Sequence, residues 1–200
     1  LTGGGYLLDT GGYDLTVDAG EGTTILIDRD FGNGGTRIVK KGMGRLTLSG
    51  ANGATGGVEV LAGILALGHD DALGTGILTL GDAANKDTMV NLESIGGNKT
   101  ITNQINWVNN ALYILGSDRI TLDGVMNVIM TGERSLDVNP NALLVLGTGV
   151  TFSGNGEFKK TGRGQMNILG KENYFTAFSI YAGTVFVGDE ENGTTQGYYT

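Results

Sequence analysis

A thirty-residue pattern occurs twice in this chain, 120 positions apart. The first copy reads VKKGMGRLTLSGANGATGGVEVLAGILALG from Val39 to Gly68, and the second FKKTGRGQMNILGKENYFTAFSIYAGTVFVG from Phe158 to Gly188. The shift superposes Gly42 on Gly162, Gly44 on Gly164, Gly50 on Gly170, Ala62–Gly63 on Ala182–Gly183, and Gly68 on Gly188. It also carries Leu46 and Leu48 onto Met166 and Ile168, Val58 and Val60 onto Phe178 and Ile180, and Leu65 and Leu67 onto Val185 and Val187. Residues such as Thr47, Glu59, Asn167 and Ser179 lie between the apolar pairs. A period of two places such a pair on one face of a strand and the intervening residue on the other. The glycines fall where strands end, at corners that need positive φ or close backbone approach. The pattern therefore preserves short strands and their turns.

Alternating strand-length runs fill the rest of the chain. They include Tyr6–Asp9, Asp14–Asp18, Thr23–Asp28, Gly76–Leu80, Thr88–Leu92, Lys99–Ile105, Ala111–Leu115, Arg119–Asp123, Met126–Thr131, Ala142–Leu146 and Val150–Ser153. The best helical candidate, Asp82–Asp87, is too short to be more than a turn. Asn-Gly hairpin dipeptides, such as Asn52–Gly53 and Asn192–Gly193, are sparse for so many strands, which disfavours a meander of hairpins. Short strands joined by tight corners, with a repeated unit, predict a coil stacked on itself. The expected fold is all-β, a right-handed parallel β-helix of about eight to ten rungs of roughly twenty to twenty-five residues. At about 4.8 Å per rung, the rod is on the order of 40 Å long. The whole chain, 1–200, reads as one β-helical segment, with repeat units at about 37–81 and 156–188.

Composition narrows the function. There are 37 glycines and one proline among 200 residues, without the three-residue period of collagen. Hydrophobic residues make up 40% of the chain, enough to form a core. The absence of cysteine excludes disulfides and thiolate metal sites, and suits a chain that crosses a membrane unfolded. A net charge of −8, with no basic run longer than Lys40–Lys41 or Lys159–Lys160, disfavours a nucleic-acid partner. No apolar run is long enough to span a bilayer as a helix. The opening LTGGGYLLDTGG lies already inside the strand pattern, so the chain reads as a piece of a longer protein whose targeting signals lie outside it.

The first copy, with ALGTGILTLG after it, resembles the autotransporter-associated β-strand repeat, found in passenger regions of large surface-displayed or secreted proteins of Gram-negative bacteria. The resemblance rests on Lys41, Gly42, Gly44, Leu46, Leu48, Gly50, Asn52, Thr55, Gly56, Ala62, Gly63, Leu65, Leu67 and Gly68. The second copy is degraded: it keeps only Thr176 of the Thr-Gly pair and has Lys171 and Glu172 in place of Ala51 and Asn52. The resemblance implies a non-catalytic β-helical passenger segment at the cell surface or secreted, acting as an adhesin stalk and export-supporting scaffold. It implies no cofactor, a host-cell or matrix ligand as partner, and a C-terminal outer-membrane β-barrel in the parent protein. The alternative is a β-helical carbohydrate-active enzyme or toxin fragment, which needs clustered carboxylates on one stacked face.

Candidate chemistry is sparse. His69, the single histidine, lies in a polar turn, and the second copy replaces it with Asp189, a swap that a catalytic base does not survive. Asp28 and Asp30, with Asn33, offer a possible calcium corner, though their spacing fits neither the EF-hand nor the nonapeptide loop. The glycine-rich runs lack the Lys-Ser/Thr ending and helix of a phosphate cradle. Among aromatic residues, Trp107 shares the parity of Ile101 and Ile105 and reads as core, as does Phe178. Tyr174 and Phe175 replace small residues of the first copy at a corner expected to project outward, which makes them the candidate binding pair.

Overall fold

In a computed structural model, residues 10–30, 34–170, 173–188 and 198–199 are described. The chain winds into a parallel β-solenoid of about eight rungs. The first three rungs contribute two strands each: β1 (Leu15–Asp18) and β2 (Thr24–Ile27), β3 (Ile38–Lys41) and β4 (Arg45–Leu48), β5 (Val58–Val60) and β6 (Gly63–Leu67). Four rungs of three strands follow. They are β7 (Leu78–Leu80), β8 (Val90–Ser94) and β9 (Lys99–Ile101), then β10 (Ile105–Trp107), β11 (Ala111–Leu115) and β12 (Arg119–Leu122). Next come β13 (Met126–Met130), β14 (Arg134–Val138) and β15 (Leu143–Leu146), then β16 (Val150–Gly154), β17 (Glu157–Thr161) and β18 (Gln165–Ile168). The eighth rung holds β19 (Ala177–Ile180) and β20 (Thr184–Val187), and β21 (Tyr198–Tyr199) pairs antiparallel with β20.

Like strands stack into three columns. The first runs β1-β3-β5-β7-β10, and passes to β13 and β16 through the Ile105 N–H, which donates to the Val125 carbonyl (2.9 Å). The second runs β2-β4-β6-β8-β11-β14-β17-β19, and the third β9-β12-β15-β18-β20. Before β9, the third side is closed by turns that still stack: the Asn52 N–H donates to the Asp71 carbonyl (2.9 Å), and Thr75 to Ala54 (3.0 Å).

The core follows from the register. Val17, Lys40, Val60, Leu80 and Trp107 align down the first column, Ile25, Leu46, Leu65, Leu92, Ile114 and Val138 down the second, and Ile101, Leu122, Leu146, Ile168 and Val187 down the third. Each buried Leu or Val adds roughly 1.5–3 kcal/mol. Phe152, Phe158, Phe175 and Phe178 fill the last rungs, with ring centroids 4.6–5.5 Å apart.

Three expectations need correction. The run Lys99–Ile105 is two strands, because the Asn103 side chain turns the chain between them by donating to the carbonyls of Gly74 (2.9 Å) and Gly76 (2.8 Å). Strand β14 has no counterpart among the expected runs, since Arg134 and Asp137 interrupt its apolar pattern. Thr47 and Asn167, expected on the strand face opposite the apolar pairs, are nevertheless buried. Asn167 lies between Val145 and Phe186 and accepts from the Gln165 amide (2.9 Å), and an Arg45–Glu93 ion pair spans the strand beside Thr47. The expected strand Tyr6–Asp9 lies outside the described residues.

Candidate functional site

The repeated glycines build corners that are closed by buried cations. Lys40 and Lys160 lie at inward positions and are both 0% exposed. Lys40 Nζ donates to the carbonyls of Lys41 (2.7 Å), Gly42 (2.6 Å) and Ala62 (3.0 Å). Lys160 Nζ donates to Thr161 (2.6 Å), Gly162 (2.8 Å) and Ala182 (3.2 Å). Three donors of one ammonium thus meet three carbonyls at the corner, of which that of Lys41 also accepts from the Ala19 N–H (3.1 Å). Burial pushes both lysines down to about 8, while Asp18 and Asp137 respectively act in the opposite sense. The lysine of the repeat is therefore Lys40; Lys41 is exposed and caps nothing through its side chain. Arg134 plays a related part, donating to the carbonyls of Trp107 (3.1 Å) and Asn109 with its guanidinium 5.3 Å from the Trp107 ring centroid. Trp107 is buried, as its parity requires.

Gly42 (φ 71°) and Gly162 (φ 70°) occupy the left-handed region, and a Cβ there would press into the carbonyl of Ala19 or Val138 on the previous rung. Only glycine meets both demands. The two copies do not stand on the same side of the solenoid, however. The first spans the first and second columns (β3, β4), the second the second and third (β17, β18).

The other candidates scatter. Tyr174 is 67% exposed. Phe175 points inward, against the expectation of an outward pair, and stacks on Phe158 at 5.5 Å. Adjacent residues of an extended segment face opposite ways, so one corner cannot display both. Asp28 lies 3.5 Å from Arg29, Asp30 is exposed, and Asn33 falls outside the described residues, as do Lys171, Glu172 and Asp189. Among the described residues no three His, Cys, Asp or Glu side chains gather to hold a metal. His69 Nδ1 accepts from the Asp71 N–H (3.0 Å) within its own turn.

A groove of about 400 Å³ lies on the outer side of the first column. Two rows of outward residues border it. One is Glu59, Thr79, Asn106, continued on β13 by Asn127, which accepts from the Thr151 hydroxyl (2.8 Å). The other precedes each strand: Arg37, Gly57, Ile77, Gln104, Val125 and Gly149, whose carbonyls accept in turn from Leu15, Ile38, Val58, Leu78, Ile105 and Met126. At one end Arg37 is held by Asp14 (2.7 Å) and Glu59 (3.2 Å), which raise its pKa, Asp14 chiefly. The amino-acid sequence does not point to these residues, because rows across rungs of 20 and 27 residues emerge only once the register is known.

Comparison with known proteins agrees with the corner geometry. Residues 38–67 match the family described as passenger-associated-transport-repeat, a span that holds Lys40, Gly42, Gly44 and Gly63. The chain is also 28% identical over 211 residues to the adhesin BmaC autotransporter of Brucella suis biovar 1 (strain 1330). That similarity covers 95% of this chain but only 5% of the adhesin's length. No solved structure matches. The chain carries a passenger-associated transport repeat within a β-solenoid and is a distant homologue of an autotransporter adhesin.

Proposed function

We propose that this chain is a non-catalytic, load-transmitting segment of a surface-displayed or secreted passenger, one that serves adhesion and helps its own export. The observation that carries the reading is the homology along nearly the whole chain to a protein named an adhesin. The residues shared between the two repeat copies also support it, since they build corners and core. Each rung is templated by its neighbour through parallel pairing, so a chain emerging from an export channel folds locally without distant contacts. In the parent protein, a C-terminal outer-membrane barrel supplies that channel. Tyr174 is the proposed aromatic contact with a host-cell or matrix ligand.

The test is an in-frame removal of the segment from the parent protein, with surface display and adhesion of whole cells to host cells and matrix proteins measured separately. We expect reduced adhesion, reduced display, or both. Display and adhesion that both equal the unmodified parent's overturn the reading.

A further inference from the structure

We propose that the groove on the first column binds an uncharged oligosaccharide lying along the solenoid axis, across the third to sixth rungs. The proposal goes beyond the adhesive reading, which assigns neither a ligand class nor this face.

The chemistry of the lining selects the ligand. Thr79, Gln104 and Asn106 sit side by side on successive rungs, and their side chains find no partner among the described residues. Together they offer amide donors, amide acceptors and a hydroxyl, a set that matches hydroxyl-rich ligands whose groups both give and take hydrogen bonds. Ile77 and Val125 are exposed in the adjoining row and give the apolar C–H face of a sugar ring something to lie on. The rungs repeat at about 4.8 Å, so the polar groups recur at a spacing close to the length of one pyranose unit.

The groove's charge excludes the main rivals. Its one cation, Arg37, is already engaged by Asp14 and Glu59, and Glu59 is engaged in return. Neither a polyanion nor a polycation finds a free counter-charge. An extended peptide is disfavoured by the backbone. The amides and carbonyls of this column run along the axis into neighbouring rungs, as between Ile38 and Gly57 or Leu78 and Gln104, so a peptide strand has no ladder to join. Aromatic side chains are missing from the lining, so binding to one site is weak and gains strength from many copies on a cell.

The experiment titrates the 200-residue chain with maltohexaose, cellohexaose, chitohexaose and mannohexaose, beside a heparin hexasaccharide and a sialic-acid oligomer. Binding is read by saturation-transfer NMR and calorimetry. We expect at least one neutral hexasaccharide to bind, with an affinity that does not depend on salt. The Gln104→Ala/Asn106→Ala variant and the Thr79→Arg variant should each weaken it tenfold or more while keeping the thermal midpoint, and Met89→Ala, exposed and away from the groove, should leave it unchanged. The proposal is overturned if the folded chain binds none of the neutral sugars, if it prefers the sulfated or sialylated ones, or if only Tyr174→Ala weakens binding. Cell adhesion by a chain that binds no sugar sinks this inference and leaves the adhesive reading standing.

Discussion

Lys40 and Lys160 make the same three hydrogen bonds on different sides of the solenoid. From β3 the first column continues through β5, β7, β10, β13 and β16, so the 120-residue shift to β17 is five full rungs and one further side. The unit that the sequence repeats is thus a corner with its two flanking strands, indifferent to which corner of the coil it occupies. Truncating either lysine takes the ammonium away from three corner carbonyls and opens a cavity at an inward position. Replacing one buried, charged hydrogen-bonding group in this way costs about 2–4 kcal/mol. We expect Lys40→Ala and Lys160→Ala each to lower the denaturant midpoint measured by circular dichroism, and Lys41→Ala to leave it within error.

The same lysines set a pH dependence. Their folded values near 8 lie below the ordinary 10.5, so between those limits the unfolded chain binds protons that the folded chain has released. Stability from this source therefore rises as pH increases from about 8 and levels off above the unfolded value. Urea midpoints at pH 7.5 and 10 should show this gain in the parent chain, measured against the smaller change in a Lys40→Met/Lys160→Met variant. Equal pH slopes in the two proteins would contradict it.

Parity alone makes the strands, the glycine corners and the buried Trp107 legible in the amino-acid sequence. Chemistry hides what parity also holds. Ile38 and Lys40 share one side of a strand, as do Phe158 and Lys160, but a cation at an inward position reads as solvated until its carbonyl partners are known. Arg134 conceals β14 in the same way. Phe175 reads as outward with Tyr174 because the first copy has small residues there, and nothing local shows that four phenylalanines converge from β16, β17, β19 and the preceding turn. The groove is beyond reach for another reason. The loop around Asp82–Thr88, tied down by Asn109, lengthens one rung, and every cross-rung row after it shifts by an amount that the sequence does not display.

Glycine substitutions should separate the corners by role. Gly42→Ala places a Cβ against the Ala19 carbonyl in a backbone region that costs an L-residue about 1–2 kcal/mol before any clash. Gly53 has open space around its would-be Cβ and carries no positive φ. Gly53→Ala should therefore leave the thermal midpoint unchanged, while Gly42→Ala should lower it by at least several degrees. Scanning calorimetry of the two variants decides the point.

Tyr174 and Phe175 are neighbours with opposite duties, and single substitutions should show it. Phe175 packs on Phe152, Phe158 and Phe178, so Phe175→Ala removes aromatic contacts from the last rungs; being half-buried, it should cost about 2 kcal/mol, below the range for a fully buried ring. Tyr174→Ala touches an exposed ring and should change stability by no more than about 0.5 kcal/mol. Any loss of binding to host cells or matrix in Tyr174→Ala is then a surface effect, whereas a loss in Phe175→Ala is confounded with loosening of the end of the rod. Hydrogen exchange separates the two: Phe175→Ala should speed exchange in β16, β17 and β19 while leaving β3 to β8 protected, because contacts in a solenoid reach only neighbouring rungs. Loss of protection spreading to β3 would mean that the rungs unfold as one cooperative unit.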